Sequence, residues 1–162
     1  MISAHRNVKV GDFGFARLCY DQNKKEVLSV THCGSQGESI KYKFIHSLIF
    51  KFFLAYAAPE ILRCEPYDAK KVDIFSMGVV LFSMIVGGLP FSEKTSKGML
   101  KARMDRSYTK ILPQIREISP DCLDLIHNLL EPDPGIRFTI DEVYACSWLR
   151  KRVTLALSKK SH

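Results

Sequence analysis

Gly11-Asp12-Phe13-Gly14 sets a carboxylate between two glycines, where the backbone must turn sharply. A carboxylate oxygen is the donor that a hard cation prefers, yet an aspartate in such a place is by itself an ordinary turn residue. Further along, Cys33-Gly34-Ser35 carries a hydroxyl, Ala58-Pro59-Glu60 a second acid, and the turn from Glu131 through Gly135 ends on Arg137. The five cysteines, Cys19, Cys33, Cys64, Cys122 and Cys146, include no C-x-x-C pair and lack metal-ligand spacing. They read as free thiols of a reducing compartment rather than as a zinc site or a disulfide framework. The net charge of +7 raises nucleic acid or acidic lipid as partners. The basic residues, however, are scattered in pairs such as Lys24-Lys25 and Lys70-Lys71, with no aromatic ladder on which bases would stack. That pattern is a solvated surface and argues for no nucleic-acid partner.

The elements that must position these groups are mostly helical. The 162 residues suit one domain or a piece of a larger one, and 46% hydrophobic with 25% charged is ordinary for a globular protein. The opening MISAHRNVKV holds no apolar core for a signal peptide, which gives a cytoplasmic or nuclear placement. Asn7 to Val10 alternates weakly and predicts a short strand. Ile74 to Phe91 runs 18 residues without a charge, a membrane-span length. Gly87-Gly88-Leu89-Pro90 stops it after about 14 residues, roughly 21 Å, which is short of a bilayer core of about 30 Å. A fully buried helix opened by Asp73 fits better. Ser119-Pro120-Asp121 caps another helix with a Leu123, Ile126, Leu129 and Leu130 stripe. Thr139-Ile140-Asp141-Glu142 is a capping box, and a further helix is expected over Ser92 to Met104.

Taken in order, VKVGDFGFAR, CGS…AYAAPE, YDAKKVDIFSMGVVLFSMIVGGLPF and LLEPDPGIRFTIDEVYACSWL resemble the protein kinase family over about residues 7 to 150. A lone D-F-G is weak, but D-F-G, A-P-E, D-x-x-S-x-G and a downstream arginine in this order are specific. The flavour is similar to the calcium/calmodulin-dependent kinase group and, within it, to the testis-specific serine kinases. The resemblance implies a mainly α fold: a partial kinase C-lobe with a short β segment before the D-F-G loop, without the N-lobe and catalytic loop. It implies a serine/threonine kinase that moves the ATP γ-phosphate to a protein hydroxyl, with ATP and magnesium as cofactors. Asp12 would hold the metal, Phe13 would set the pose of the loop and Gly14 would permit its bend. Thr31 matches the regulatory phosphosite, and Ser35 the hydroxyl that meets the catalytic aspartate when substrate is seated. Glu60 would form a buried ion pair with Arg137, and Asp73 would cap the catalytic-loop backbone. Phe75 stands where the family usually has Trp.

The departures matter as much. The 162 residues contain no glycine-rich phosphate loop, no lysine in a V-A-I-K setting with its helix glutamate, and no H-R-D-x-x-x-x-N. His5-Arg6 is followed by Asn7 and lies too close to Asp12 to be that catalytic loop. No catalytic residue is therefore retained, and Asp12 alone would not bind Mg-ATP usefully. The expectation is a chain that is inactive by itself; the alternative is a non-catalytic module or truncated isoform that competes for protein substrates or regulators. Its oligomeric state is not legible. The domain reading is a partial kinase domain over 1–150, carrying an extra segment at 37–54, and a basic tail at 151–162. Removing Gly37 to Leu54 leaves CGSQAYAAPE, the family's usual loop. The extra apolar run carries His46 and Lys51 and is too short to span a membrane; a membrane-surface stripe is the alternative. Codons for Gly37-Glu38-Ser39 and Lys51 to Ala55 can hold a splice donor and acceptor in frame, so the segment reads as a retained intron. Met1 reads as an internal methionine or the start of a truncated gene model. The helix that normally packs beside residues 72 to 87 is expected to be missing, leaving apolar surface exposed there.

Overall fold

The computed structural model describes residues 54–115 and 117–151, together with residues 10, 11, 16, 18–20, 22, 23, 25 and 28. The short strand expected at Asn7 to Val10 lies outside the described residues apart from Val10, which is exposed. The architecture is mainly α. Among the described residues the only β features are single bridge residues, Tyr20 and Tyr67.

Helix α1 spans Pro59–Leu62, with proline in its first turn, where a missing N–H costs no hydrogen bond. Helix α2 spans Ala69–Val86. It begins before the uncharged run because Asp68, not Asp73, is the cap: the Asp68 side chain accepts from the Lys70 N–H at 2.8 Å. Asp73 instead sits in the second turn and is exposed. The charged Lys70, Lys71 and Asp73 are thus part of the helix, which runs 18 residues rather than the 14 of the apolar reading. It ends as the sequence dictates, on Gly87 in the left-handed region at φ +79°, its N–H donating to the Ser83 carbonyl at 2.9 Å. No helix of the described residues is long and apolar enough to cross a membrane.

Burial of α2 is one-sided, which corrects the fully buried reading. Ile74, Phe75, Gly78, Val79 and Phe82 are buried. Met77, Val80 and Met84, three and four residues apart, are 42%, 47% and 78% exposed and form an apolar row facing away from the core.

Helix α3 (Ser96–Met104) starts four residues later than Ser92, where Thr95 Oγ1 accepts from the Gly98 N–H at 3.1 Å. Two 3-10 turns follow, Ser107–Lys110 and Leu112–Gln114. Helix α4 (Pro120–Leu129) is capped by Ser119. Helix α5 (Ile140–Ala145) carries the complete capping box, with Glu142 accepting from the Thr139 N–H at 2.7 Å. The amphipathic stripe of α4 packs on α2 at Gly78. A Cβ added there would stand 2.8 Å from Leu129 Cβ and 2.9 Å from Leu130 Cδ2, so only glycine lets the two helices approach. The main core gathers Phe75, Val79, Phe82, Phe91, Tyr108, Ile126 and Leu130, and a smaller cluster of Ile74, Leu125, Leu129 and Val143 lies against Trp148.

Candidate functional site

The segment 54–60, which leads into and opens α1, is held by two buried arginines. Pro59 and the extended Ala58 set the start of α1 and direct Glu60 inward, where it is 4% exposed. Arg137 arrives from the Pro- and Gly-rich turn 131–137 and forks onto it: Nη1 to Glu60 Oε1 at 2.7 Å and Nη2 to Oε2 at 3.0 Å. The remaining guanidinium N–H groups also have acceptors. Nε donates to the Glu131 carbonyl at 2.8 Å, Nη1 to that of Lys71 at 2.8 Å and Nη2 to that of Pro132 at 3.1 Å. All five donors of the side chain are thereby used. Its charged plane lies 5.0 Å from the Phe75 ring centroid. Lys71 donates back to the Arg137 carbonyl. A buried charge is tolerable only when paired and fully hydrogen-bonded, and here it is both.

The second arginine was not singled out by the sequence. Arg103 of α3 is fully buried and, among the described residues, has no carboxylate in hydrogen-bond contact. Nε donates to the Ala57 carbonyl at 2.8 Å, Nη2 to those of Leu54 at 2.8 Å and Ala55 at 3.1 Å, and Nη1 to that of Met99 at 2.9 Å. The Phe91 ring centroid is 4.7 Å from the guanidinium. Burial pushes the Arg103 pKa down to about 10, against the pull of the Glu93 carboxylate, so the group stays charged at neutral pH. One sequence signal was available: Met99, Ala102 and Arg103 share the buried face of α3, and an arginine in an apolar stripe needs acceptors. A further tie joins the segment to α2, where Ser76 Oγ donates to the Tyr56 carbonyl at 3.1 Å.

Of the other expected site residues, Asp73 is the one that the structure describes. Asp12, Phe13, Gly14, Thr31 and Ser35 lie outside the described residues. The Asp73 carboxyl is pushed up by partial burial and then by the nearby Asp68 carboxylate. Among the described residues no group of three or more His, Cys, Asp or Glu side chains could hold a metal ion.

Two of the motifs that carry the kinase resemblance, A-P-E and the downstream arginine, build the Glu60–Arg137 junction, and the protein kinase domain model matches residues 1–149. This chain belongs to the protein kinase domain family. Its relatives are serine/threonine kinases. Testis-specific serine/threonine-protein kinase 2 of Mus musculus is 36% identical over 156 residues, covering 96% of this chain and 38% of the relative. Testis-specific serine/threonine-protein kinase 3 of Homo sapiens is 38% identical over 143 residues, covering 88% and 45%. SNF-related serine/threonine-protein kinase of Rattus norvegicus is 37% identical over 143 residues, covering 88% and 16%. The chain thus spans less than half the length of these relatives. A crystal structure of the Rad53 kinase domain and SCD2 matches with a TM-score of 0.52 and 35% identity, over 60% of this chain and 37% of that one.

Proposed function

We propose that this chain is the helical part of a serine/threonine protein kinase domain, and that by itself it does not transfer phosphate. The observation that carries the reading is the Glu60–Arg137 fork, which joins the Ala58-Pro59-Glu60 motif to the turn before α5 across 77 positions of sequence. Protein kinases use ATP and magnesium, and phosphoryl transfer depends on many positioned donors acting together. The 162 residues include neither an H-R-D catalytic loop nor a phosphate-gripping glycine loop. In a complete kinase domain, Asp12 would hold the metal beside Phe13 and Gly14, Thr31 would be the regulatory phosphosite, Ser35 would meet the catalytic aspartate and Asp73 would cap the catalytic loop. The partners are protein substrates or regulators, met in the cytoplasm or nucleus; Cys19, Cys64 and Cys146 as free thiols support a reducing compartment.

A second reading, a non-catalytic module that competes for partners of a complete kinase, is supported by the exposed Met77, Val80 and Met84 row on α2. One experiment separates the two. Phosphate transfer from Mg-ATP to a protein substrate is measured for the 162-residue chain and for the longest product of its gene. The first reading expects transfer from the longer product and none from the chain. Absence of transfer from both favours the competing module, and transfer by the bare chain overturns both.

A further inference from the structure

We propose that Arg103 is the positioning residue for the 54–57 backbone, clamping the segment that leads into α1 onto α3 through main-chain carbonyls. Residues 54–56 are helical and Ala57 is not. Carbonyls at the end of a helix have no partner further along it and must find one elsewhere. The backbone supplies little: the Ala57 N–H donates to the Leu54 carbonyl at 3.2 Å. Ser76 of α2 donates to the Tyr56 carbonyl, and Arg103 reaches those of Leu54, Ala55 and Ala57 from α3 with one planar fork. Its fourth bond, to Met99 in the preceding turn of α3, fixes the fork to its own helix. Phe91 covers one face of the guanidinium. Glu93 provides a nearby counter-charge whose buried Oε2 has no hydrogen-bond partner of its own.

Every acceptor in this clamp is present on every residue type, so the clamp is blind to side chains. That suits its place. The residues before Leu54 are those whose sequence departs from the kinase pattern, and Glu60, which must meet Arg137, begins only a few residues later. A clamp that reads backbone only keeps the start of α1 in position whatever the preceding segment contains. A lysine would not do the same, because a compact ammonium lacks the planar fork that spans several carbonyls at once.

The inference deepens the kinase reading, since it says how the segment that leads into α1 is fixed. Its test needs no substrate or nucleotide and so can fail while that reading stands. Hydrogen–deuterium exchange is followed on the full 162-residue chain and on Arg103→Met, which keeps the apolar stem and removes the donors. The expected result is exchange about tenfold faster at the amides of Ala57, Ile61 and Leu62, with those inside α4 changed less than about twofold. Unchanged protection at 57–62, or equal acceleration in α4, overturns the proposal, the latter because it marks a general loss of packing. Should Arg103→Met fail to fold, Arg103→Lys is read in the same way: selective loss at 57–62 supports the clamp and wild-type protection there refutes it.

Discussion

Arg137 and Arg103 are both buried guanidinium groups, both tied to the segment that opens α1, and both near Phe75, at 5.0 and 6.0 Å from its ring centroid. Arg137 meets a carboxylate in a two-pronged ion pair and then spends its other donors on carbonyls. Among the described residues Arg103 meets carbonyls only, and burial holds its pKa down. The contrast teaches that a buried charge need not have an opposite charge in contact, provided that dipoles surround it. It also predicts different sensitivities. Removing a partner of Arg137 leaves a charge stranded at hydrogen-bond distance, whereas removing Arg103 leaves neutral carbonyls, with the Glu93 carboxylate nearby but not hydrogen-bonded to it.

The largest expected effect is therefore on the Arg137 side. Arg137→Met should lower stability by about 3–5 kcal/mol, because Glu60 is left charged in a dry site, and urea unfolding would report it. Adding Glu60→Gln should cost less than the sum of the two single changes, with a coupling of about 0.5–3 kcal/mol; simple additivity would mean that the fork contributes nothing as a pair. Gly78→Ala tests the packing that backs the same side, since α4 leads into the turn carrying Glu131 and Arg137. Its Cβ would meet Leu129 Cβ at 2.8 Å, and overpacking of this kind costs about 1–3 kcal/mol. Thr139→Ala, two residues beyond Arg137, should cost about 1 kcal/mol through loss of the α5 cap, read as a shift of the urea midpoint.

The smallest effect belongs to the Arg103 side and depends on pH. Tyr108 packs edge-on to Phe91, with ring centroids 5.9 Å apart, and its hydroxyl lies 3.0 Å from His127 Nδ1. Burial pushes the phenol up to about 12, so it stays protonated at neutral pH and shares a hydrogen bond with the imidazole. Burial first and the Arg106 guanidinium second hold His127 below the ordinary imidazole range, with Asp124 opposing. The unfolded chain thus takes up a proton on His127 near pH 6.5, before the folded chain does. Stability from this contact is complete above that pH and is lost as pH falls through the lower folded value. Urea midpoints measured from pH 7.5 down to about 5 should slope downward, and His127→Gln should flatten the slope. An unchanged slope would detach His127 from the effect.

Much of the helical frame was legible because its signals are local. Gly87 at the end of α2, Ser119 before α4 and the Thr139–Glu142 box each act within one turn, and the structure uses all three. The start of α2 was not, since charged Lys70 and Lys71 hid a helix whose cap, Asp68, lay before the apolar run. Glu60 and Arg137 could be named from the order of kinase motifs, because a carboxylate paired with a guanidinium leaves a mark at both ends. Arg103 leaves a mark at one end only. Its acceptors are carbonyls, and no sequence pattern distinguishes the residues that own them. The exposed row on α2 was foreseen as apolar surface beside residues 72 to 87, while the apolar run alone suggested burial on every side.

The most direct test of the account is phosphate transfer by the purified 162-residue chain, using labelled Mg-ATP and a basic protein substrate, beside an Asp12→Ala control. The account predicts no transfer above that control. Transfer that is present in the chain and disappears with Asp12→Ala would contradict it.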